Sequence, residues 1–180
     1  MKRCNWVNLN NPVYIKYHDE EWCTPSYDDK YLFEMLLLES FQAGLSWECV
    51  LNKREHFRKV FDNFNYQLIA NYNEEKIEEL KNNPNIIRNS LKIKATINNA
   101  KIFMDIQKEY GSFCNYIWHF TGGKIIKNID DELKTTSPLS DEVSNDLKLR
   151  GMKFIGSTII YSYLQAIGII NDHEMNCEKF

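Results

Sequence analysis

Apolar residues recur three and four positions apart through almost the whole of this chain, and no stretch alternates apolar and polar residues for long enough to build a sheet. That periodicity predicts an all-α fold. Asp28-Asp29 suit the start of a first convincing helix, which carries Leu32, Phe33, Leu36 and Leu37 and is stopped by Gly44. Ser46 caps a second helix with Val50, Phe57 and Phe61 turned inward, and Asn73 a third carrying Ile77 and Leu80. Pro84 breaks the pattern before a long amphipathic helix from about Leu91 to Gln107, with Ile93, Ile97, Ala100 and Met104 at helical spacing. Between about Thr121 and Pro138, Gly122-Gly123 mark a polar region that leaves room for a short strand. Ser140 then opens a helix ending at Arg150-Gly151, and after Met152 to Gly156 a last helix runs to Ile167-Gly168. The result is two helices joined by a glycine-bracketed hairpin.

A chain of 180 residues suits one domain spanning 1–180. With 43% hydrophobic and 26% charged residues it has enough apolar surface to fold and is not disordered. The polar start, without an apolar segment, does not read as a signal peptide, and no run approaches a membrane span, so a cytoplasmic protein is expected. Cys4, Cys23, Cys49, Cys114 and Cys177 are then buried thiols or metal ligands rather than disulfides. A net charge of −3 argues against a strongly basic nucleic-acid protein but permits local patches. Two are candidates: Arg88, Lys92, Lys94 and Lys101, and Lys148, Arg150 and Lys153.

Three constellations could carry chemistry. The hairpin glycines Gly151 and Gly156 can let backbone approach a phosphate beside Lys153, although the same segment can be a plain packing unit. At the chain ends, Cys4 and His18 face His173 and Cys177; the latter two share one face of a helical turn. Four such ligands complete a closed tetrahedral zinc site, while packed thiols and imidazoles are the simpler alternative. His56 and His119 show no comparable pattern and read as structural. Glu39 follows Leu36, Leu37 and Leu38, and either protrudes to water or lines a cavity for a cation or exocyclic amine. Trp6, Tyr14, Tyr17 and Trp47 are either its stacking walls or ordinary core.

The ordered stretches Arg3-Cys4-Asn5-Trp6-Val7, Tyr14 to Trp22, Leu32 to Met35 and Gln42 to Trp47 resemble the 3-methyladenine DNA glycosylase I family of the helix-hairpin-helix glycosylases. So do Val50 to Glu55, Ile86-Ile87-Arg88, Lys153 to Thr158 and Gly168 to His173, so the likeness covers essentially the whole chain. The resemblance implies the helix-hairpin-helix glycosylase fold, with a Zn2+-binding element joining the termini (about 1–20 and 168–180) through Cys4, His18, His173 and Cys177. It implies that Glu39 accepts hydrogen bonds from an extruded base and is the catalytic residue. Tyr17 and Trp47 would stack on that base, and Trp6 and Tyr14 would complete the pocket. Leu45, beside Gly44, would be a DNA-facing wedge, with Lys153 and Gly156 at the DNA backbone. The activity implied is hydrolytic release of 3-methyladenine from alkylated double-stranded DNA by a monomer, without lyase action because no lysine is placed as a Schiff-base nucleophile. Phe41, Pro84-Asn85 and Leu91 depart from the family pattern and bear on local DNA contacts. Asp172, after the hairpin helix, reads as mainly structural. The competing readings are a non-catalytic alkylation-damage binding protein and a zinc-stabilised helical interaction domain.

Overall fold

The computed structural model describes residues 1–129 and 134–180, so the expected polar region of 121–138 lies partly outside the described residues. Helix α1 (Pro12–Glu20) starts on Asn11, whose side chain accepts from the Val13 and Tyr14 N–H groups, with Pro12 where its missing N–H is not needed. It precedes the first helix expected from the sequence. Its apolar signal is weak because it buries only Tyr17 and His18. Helix α2 (Asp29–Gln42) is capped by Asp28 as expected and is buried continuously from Leu32 to Phe41. A helix buried on every side belongs at the centre of a fold. It packs against α3 (Trp47–Leu51), α7 (Ser90–Tyr110), α8 (Phe113–His119) and α10 (Ser157–Ala166).

The helix expected from Ser46 is two helices. Ser46 caps α3, but the chain turns at Asn52-Lys53 and restarts as α4 (Arg54–Val60), where Arg54 is drawn inward to Glu34 at 2.6 Å and Glu21 at 2.7 Å. Val50 and Phe57 are buried on separate helices and Phe61 sits at the end of the second. Short α5 (Tyr66–Ile69) and α6 (Glu74–Asn82), capped by Asn73, lead to α7, which Gly111 ends with φ +83°. Helix α9 (Pro138–Leu149) opens on Ser137 with Pro138 in the first turn; Ser140 is instead the reciprocal partner in that capping box. The fold is not wholly α. Strands β1 (Ile126–Lys127) and β2 (Ile170–Asn171) pair in parallel, Ile126 with Ile170 and Lys127 with Asn171.

Phe41, noted as a departure, is fully buried against Phe57 and Phe61, with ring centroids at 4.8 and 6.0 Å, so it belongs to the core. Among the described residues no helix is long and apolar enough to cross a membrane.

Gly168 sets how the C-terminal segment leaves α10. Residues 23–26 run across the end of that helix, Cys23 N–H donating to Gln165 O and Ser26 N–H to Ile167 O. Gly168 lies beneath them with φ +75°, and a Cβ there would sit 2.3 Å from Pro25 N and Thr24 C. Gly168→Ala is therefore expected to cost at least about 3 kcal/mol in chemical denaturation, since backbone rather than a movable side chain must give way. Gly156→Ala, with φ −60° and open space around it, is the control and should cost under about 1 kcal/mol.

Candidate active site

A cavity of about 490 Å³ opens between α1, the end of α2, the start of α3 and the chain beyond α10. The five residues expected to form a base pocket, Trp6, Tyr14, Tyr17, Glu39 and Trp47, all line it. Helix α1 presents Tyr14 and Tyr17 one turn apart, and Trp47 enters at the first position of α3, where the Gly44 turn has reversed the chain. Tyr17 and Trp47 face each other at 5.3 Å, Trp6 lies 5.2 Å from Tyr14, and Trp22 meets Trp6 edge-on at 4.7 Å. The Trp47 Nε1–H is buried and has no hydrogen-bond partner among the described residues.

Glu39 projects from the last turns of α2 and is 3% exposed. Among the described residues no donor bonds its carboxylate. Burial alone pushes its pKa up to about 8. Its charge in turn raises the Tyr17 phenol, which burial already lifts well above its ordinary value, and contributes to raising Tyr14. A desolvated carboxyl lacking donors, inside an aromatic box, is arranged for a cationic or donor-rich ligand that fits between π-faces.

Sequence reasoning did not place Trp22, Asn128, Lys134 and Gln165 in the cavity wall. Only Trp22 lay within a recognisable motif; the others arrive through the β1–β2 pairing and the far face of α10. Asp172 also lines the cavity, but its carboxylate accepts from Asn128 at 2.7 Å, Gln165 at 2.5 Å and Tyr161 at 3.1 Å. Those bonds suit the structural role expected of it. Lys134 shows that a lysine does reach the wall, where its Nζ donates to Asn128 Oδ1 at 2.8 Å.

The candidate metal ligands gather at the joined termini. Donor atoms of Cys4, His18 and Cys177 lie within 4.8 Å of one another, all buried. His173 is outside that group, yet its ring meets His18 edge-on at 5.2 Å and its Nε2 is buried with no hydrogen-bond partner among the described residues. The outer nitrogen of each imidazole is held: His18 Nδ1 by Asp19 at 2.8 Å, itself paired with Arg3, and His173 Nδ1 by Asn171 at 2.9 Å. Backbone N–H groups of Glu174 and Lys179 point at the sulfurs of Cys4 and Cys177. Burial pushes the Cys4 thiol up to about 12 and the His173 imidazole down to about 4. Neutral imidazole is the ligating form, and a Cys4 thiol so disfavoured as an anion needs a cation to ionise, so the donor set fits a thiolate-seeking divalent ion. His56 is exposed and His119 stacks on Tyr110 and Phe120; neither lines the cavity.

Two of the basic residues expected on the surface are committed elsewhere. Arg150 pairs with Glu109 at 2.6 Å and Asp146 at 2.7 Å over the rings of Tyr110 and Tyr116. Lys92 is buried. Lys148 and Lys153 remain exposed beside the hairpin, where Gly151 has φ +96° and Gly156 precedes α10. Phe154 takes φ +56°, a conformation that costs a bulky residue energy. Leu45 is 39% exposed at the tip of the turn after α2, which Gly44 makes with φ +81°.

The model of the family described as methyladenine glycosylase matches residues 6–180. The chain belongs to the methyladenine glycosylase family. It is 42% identical to DNA-3-methyladenine glycosylase 1 of Escherichia coli K12 over 98% of this chain and 96% of that protein. Identity to the DNA-3-methyladenine glycosylase of Haemophilus influenzae is 39%, over 97% and 96% respectively. A crystal structure of 3-methyladenine DNA glycosylase I superposes with a TM-score of 0.94 at 43% identity, covering 98% of both chains. A Staphylococcus aureus glycosylase solved to explain its 3-methyladenine recognition gives 0.92 at 35% identity, over 99% of this chain and 96% of that one. The helical architecture is thus shared over nearly the whole length of both chains.

Proposed function

We propose that this chain is a monofunctional DNA-3-methyladenine glycosylase that hydrolyses the N-glycosidic bond of 3-methyladenine in alkylated duplex DNA. The observation that carries the reading is Glu39, a buried carboxyl that no donor among the described residues bonds, facing a cavity walled by Tyr17, Trp47, Tyr14 and Trp6. The relatives' activity and the recognition of 3-methyladenine by the S. aureus protein support it.

Methylation at N3 leaves the base cationic while it is attached to deoxyribose, so its departure needs no protonation. The flipped nucleotide enters the cavity, its purine held between aromatic faces and its exocyclic amine directed to Glu39. The cation draws the Glu39 proton off and the resulting carboxylate holds it, whereas neutral adenine gains little from either feature. Water then adds to C1′ as the C1′–N9 bond breaks, the bonding electrons neutralise the base, and the water's proton leaves to solvent. Free base and an abasic site remain. Lys134 is engaged by Asn128 and no lyase step is assigned to it.

Cys4, His18, His173 and Cys177 would hold one zinc ion, which when bound acts as a structural cross-link between residues 1–20 and 168–180. Trp22 packs against both imidazoles and faces the cavity, so this element forms part of the pocket wall. A single domain acting as a monomer in the cytoplasm completes the proposal.

The test is chromatographic detection of free 3-methyladenine after incubation with methylated DNA; binding without release would make the chain a damage-recognition module. Lys153, as a backbone contact, makes a separate expectation. Lys153→Ala should weaken binding to methylated and unmethylated duplex equally and reduce the slope of log K against log salt by about 1. A loss confined to methylated DNA would remove Lys153 from the backbone.

A further inference from the structure

Lys92 is an unfavourable residue where it stands. It occupies the third position of α7, where a cation opposes the helix dipole, and only 7% of it is exposed. What offsets both costs is specific. Its Nζ donates to Phe41 O at 2.8 Å and to Ala43 O at 2.6 Å, carbonyls left free where α2 ends and the chain turns through Gly44. The turn is closed on its other side by Leu45 N–H to Gln42 O at 2.7 Å and Gln42 Nε2 to Leu45 O at 2.6 Å. Leu45 is therefore presented by a turn whose backbone is held from two directions.

The same helix face grips the hairpin. Lys92 Nζ lies 5.9 Å from the ring of Phe154, the residue with the left-handed backbone. Seven residues on, roughly 10 Å along the axis, Asn99 clamps Lys153 by both backbone groups: Nδ2 to Lys153 O and Lys153 N–H to Oδ1, each 2.9 Å. Asn98 adds a bond to Gly151 O at 3.0 Å. The Leu45 turn and the hairpin are far apart in sequence, yet both are indexed to α7.

We propose that Lys92 is a positioning residue: with Asn99 it makes α7 a ruler that fixes the Leu45 turn relative to the backbone-gripping hairpin, so that Leu45 enters the duplex when the hairpin is seated. The inference rests on the DNA glycosylase reading. Lys92 acts through Leu45 and touches no substrate. Its contribution falls on base extrusion, which a duplex requires and a single strand largely does not.

Lys92→Met keeps the stem and removes the donors. Release of 3-methyladenine from methylated duplex should fall at least about tenfold, and release from single strands should stay within about twofold. Lys92→Arg, which keeps donors, should restore most of the loss. In a double-mutant cycle, adding Leu45→Ala to Lys92→Met should cost little beyond either change alone, because both remove one function. A duplex carrying 2-aminopurine beside an abasic-site analogue reads unstacking without chemistry: its fluorescence should rise with wild type and much less with Lys92→Met. Wild type that unstacks the probe but releases no base overturns the glycosylase reading and leaves this inference standing. Equal losses on both substrates, additive effects of the two changes, or unaltered probe fluorescence overturn the inference. If Lys92→Met does not fold, Lys92→Gln and Lys92→Arg carry the same cycle.

Discussion

Glu39→Gln is expected to lower release of 3-methyladenine from alkylated duplex by roughly 30- to 1,000-fold, corresponding to a lost charged partner worth about 2 to 4 kcal/mol in the transition state. The amide preserves size and one acceptor but presents donors where the base also presents donors. Stability should move the other way. Burial holds the Glu39 carboxyl from its ordinary 4.5 up to about 8, so between those values the unfolded chain ionises while the folded chain keeps its proton. Stability conferred below 4.5 is then lost as pH rises toward 8, by about 5 kcal/mol in all, and the glutamine variant escapes that loss. Denaturation at pH 8 should show Glu39→Gln to be more stable than the parent. In activity, kcat/KM of the parent should climb with pH to a plateau above about 8, and the variant should lack that limb. A variant as active as the parent, or less stable at pH 8, would take Glu39 out of base recognition.

That opposition of stability and activity bears on why the pocket could be seen in the sequence. A carboxylate set after Leu36, Leu37 and Leu38 conflicts with its neighbours, and such a conflict is legible because burial without a partner is costly. The aromatic walls were legible only as types, since Phe33 or Tyr163 in the core look no different from Trp47 in the cavity. The family motifs separated them. Asn128, Lys134 and Gln165 gave no local signal: Asn128 reaches the wall beside the β1–β2 pairing, whose two-residue strands are too short to show a period, Lys134 is bonded to Asn128, and Gln165 sits near the end of α10, far in sequence from the other wall residues.

Long buried elements were read well and boundaries less so. Helix α2 announces itself through its cap at Asp28 and α7 through a sustained apolar face, whereas α1 buries little and carries hardly any pattern. The break between α3 and α4 follows from Arg54 reaching Glu34 and Glu21, a tertiary ion pair that local propensity does not contain. Two members of the basic clusters, Lys92 and Arg150, depart from the expected surface for a related reason. Charge counted along the sequence does not distinguish exposed Lys153 from Arg150, neutralised by Glu109 and Asp146, or from Lys92, turned inward to carbonyls.

Zinc removal should produce the largest loss of stability. Residues 1–20 contribute one short helix and a loop, and few contacts other than the terminal cluster fasten them to residues 168–180: Lys2 and Asn5 bond Glu178 and Glu174 at exposed positions. An ion held by Cys4, His18, His173 and Cys177 would cross-link segments almost a whole chain apart, where the entropy of bringing the ends together is greatest. Purified protein is expected to carry about one zinc per chain, and Cys177→Ala or a strong chelator to lower stability by several kcal/mol. Cys114→Ala, at a half-buried thiol on α8, is the control and should change little. Because His173 and Trp22 form part of the cavity wall, loss of the metal should also weaken binding of free 3-methyladenine, and restored zinc should recover both properties together. Full stability and ligand binding in a metal-free preparation would reduce the cluster to packed thiols and imidazoles, with the termini held by their hydrogen bonds and aromatic contacts alone.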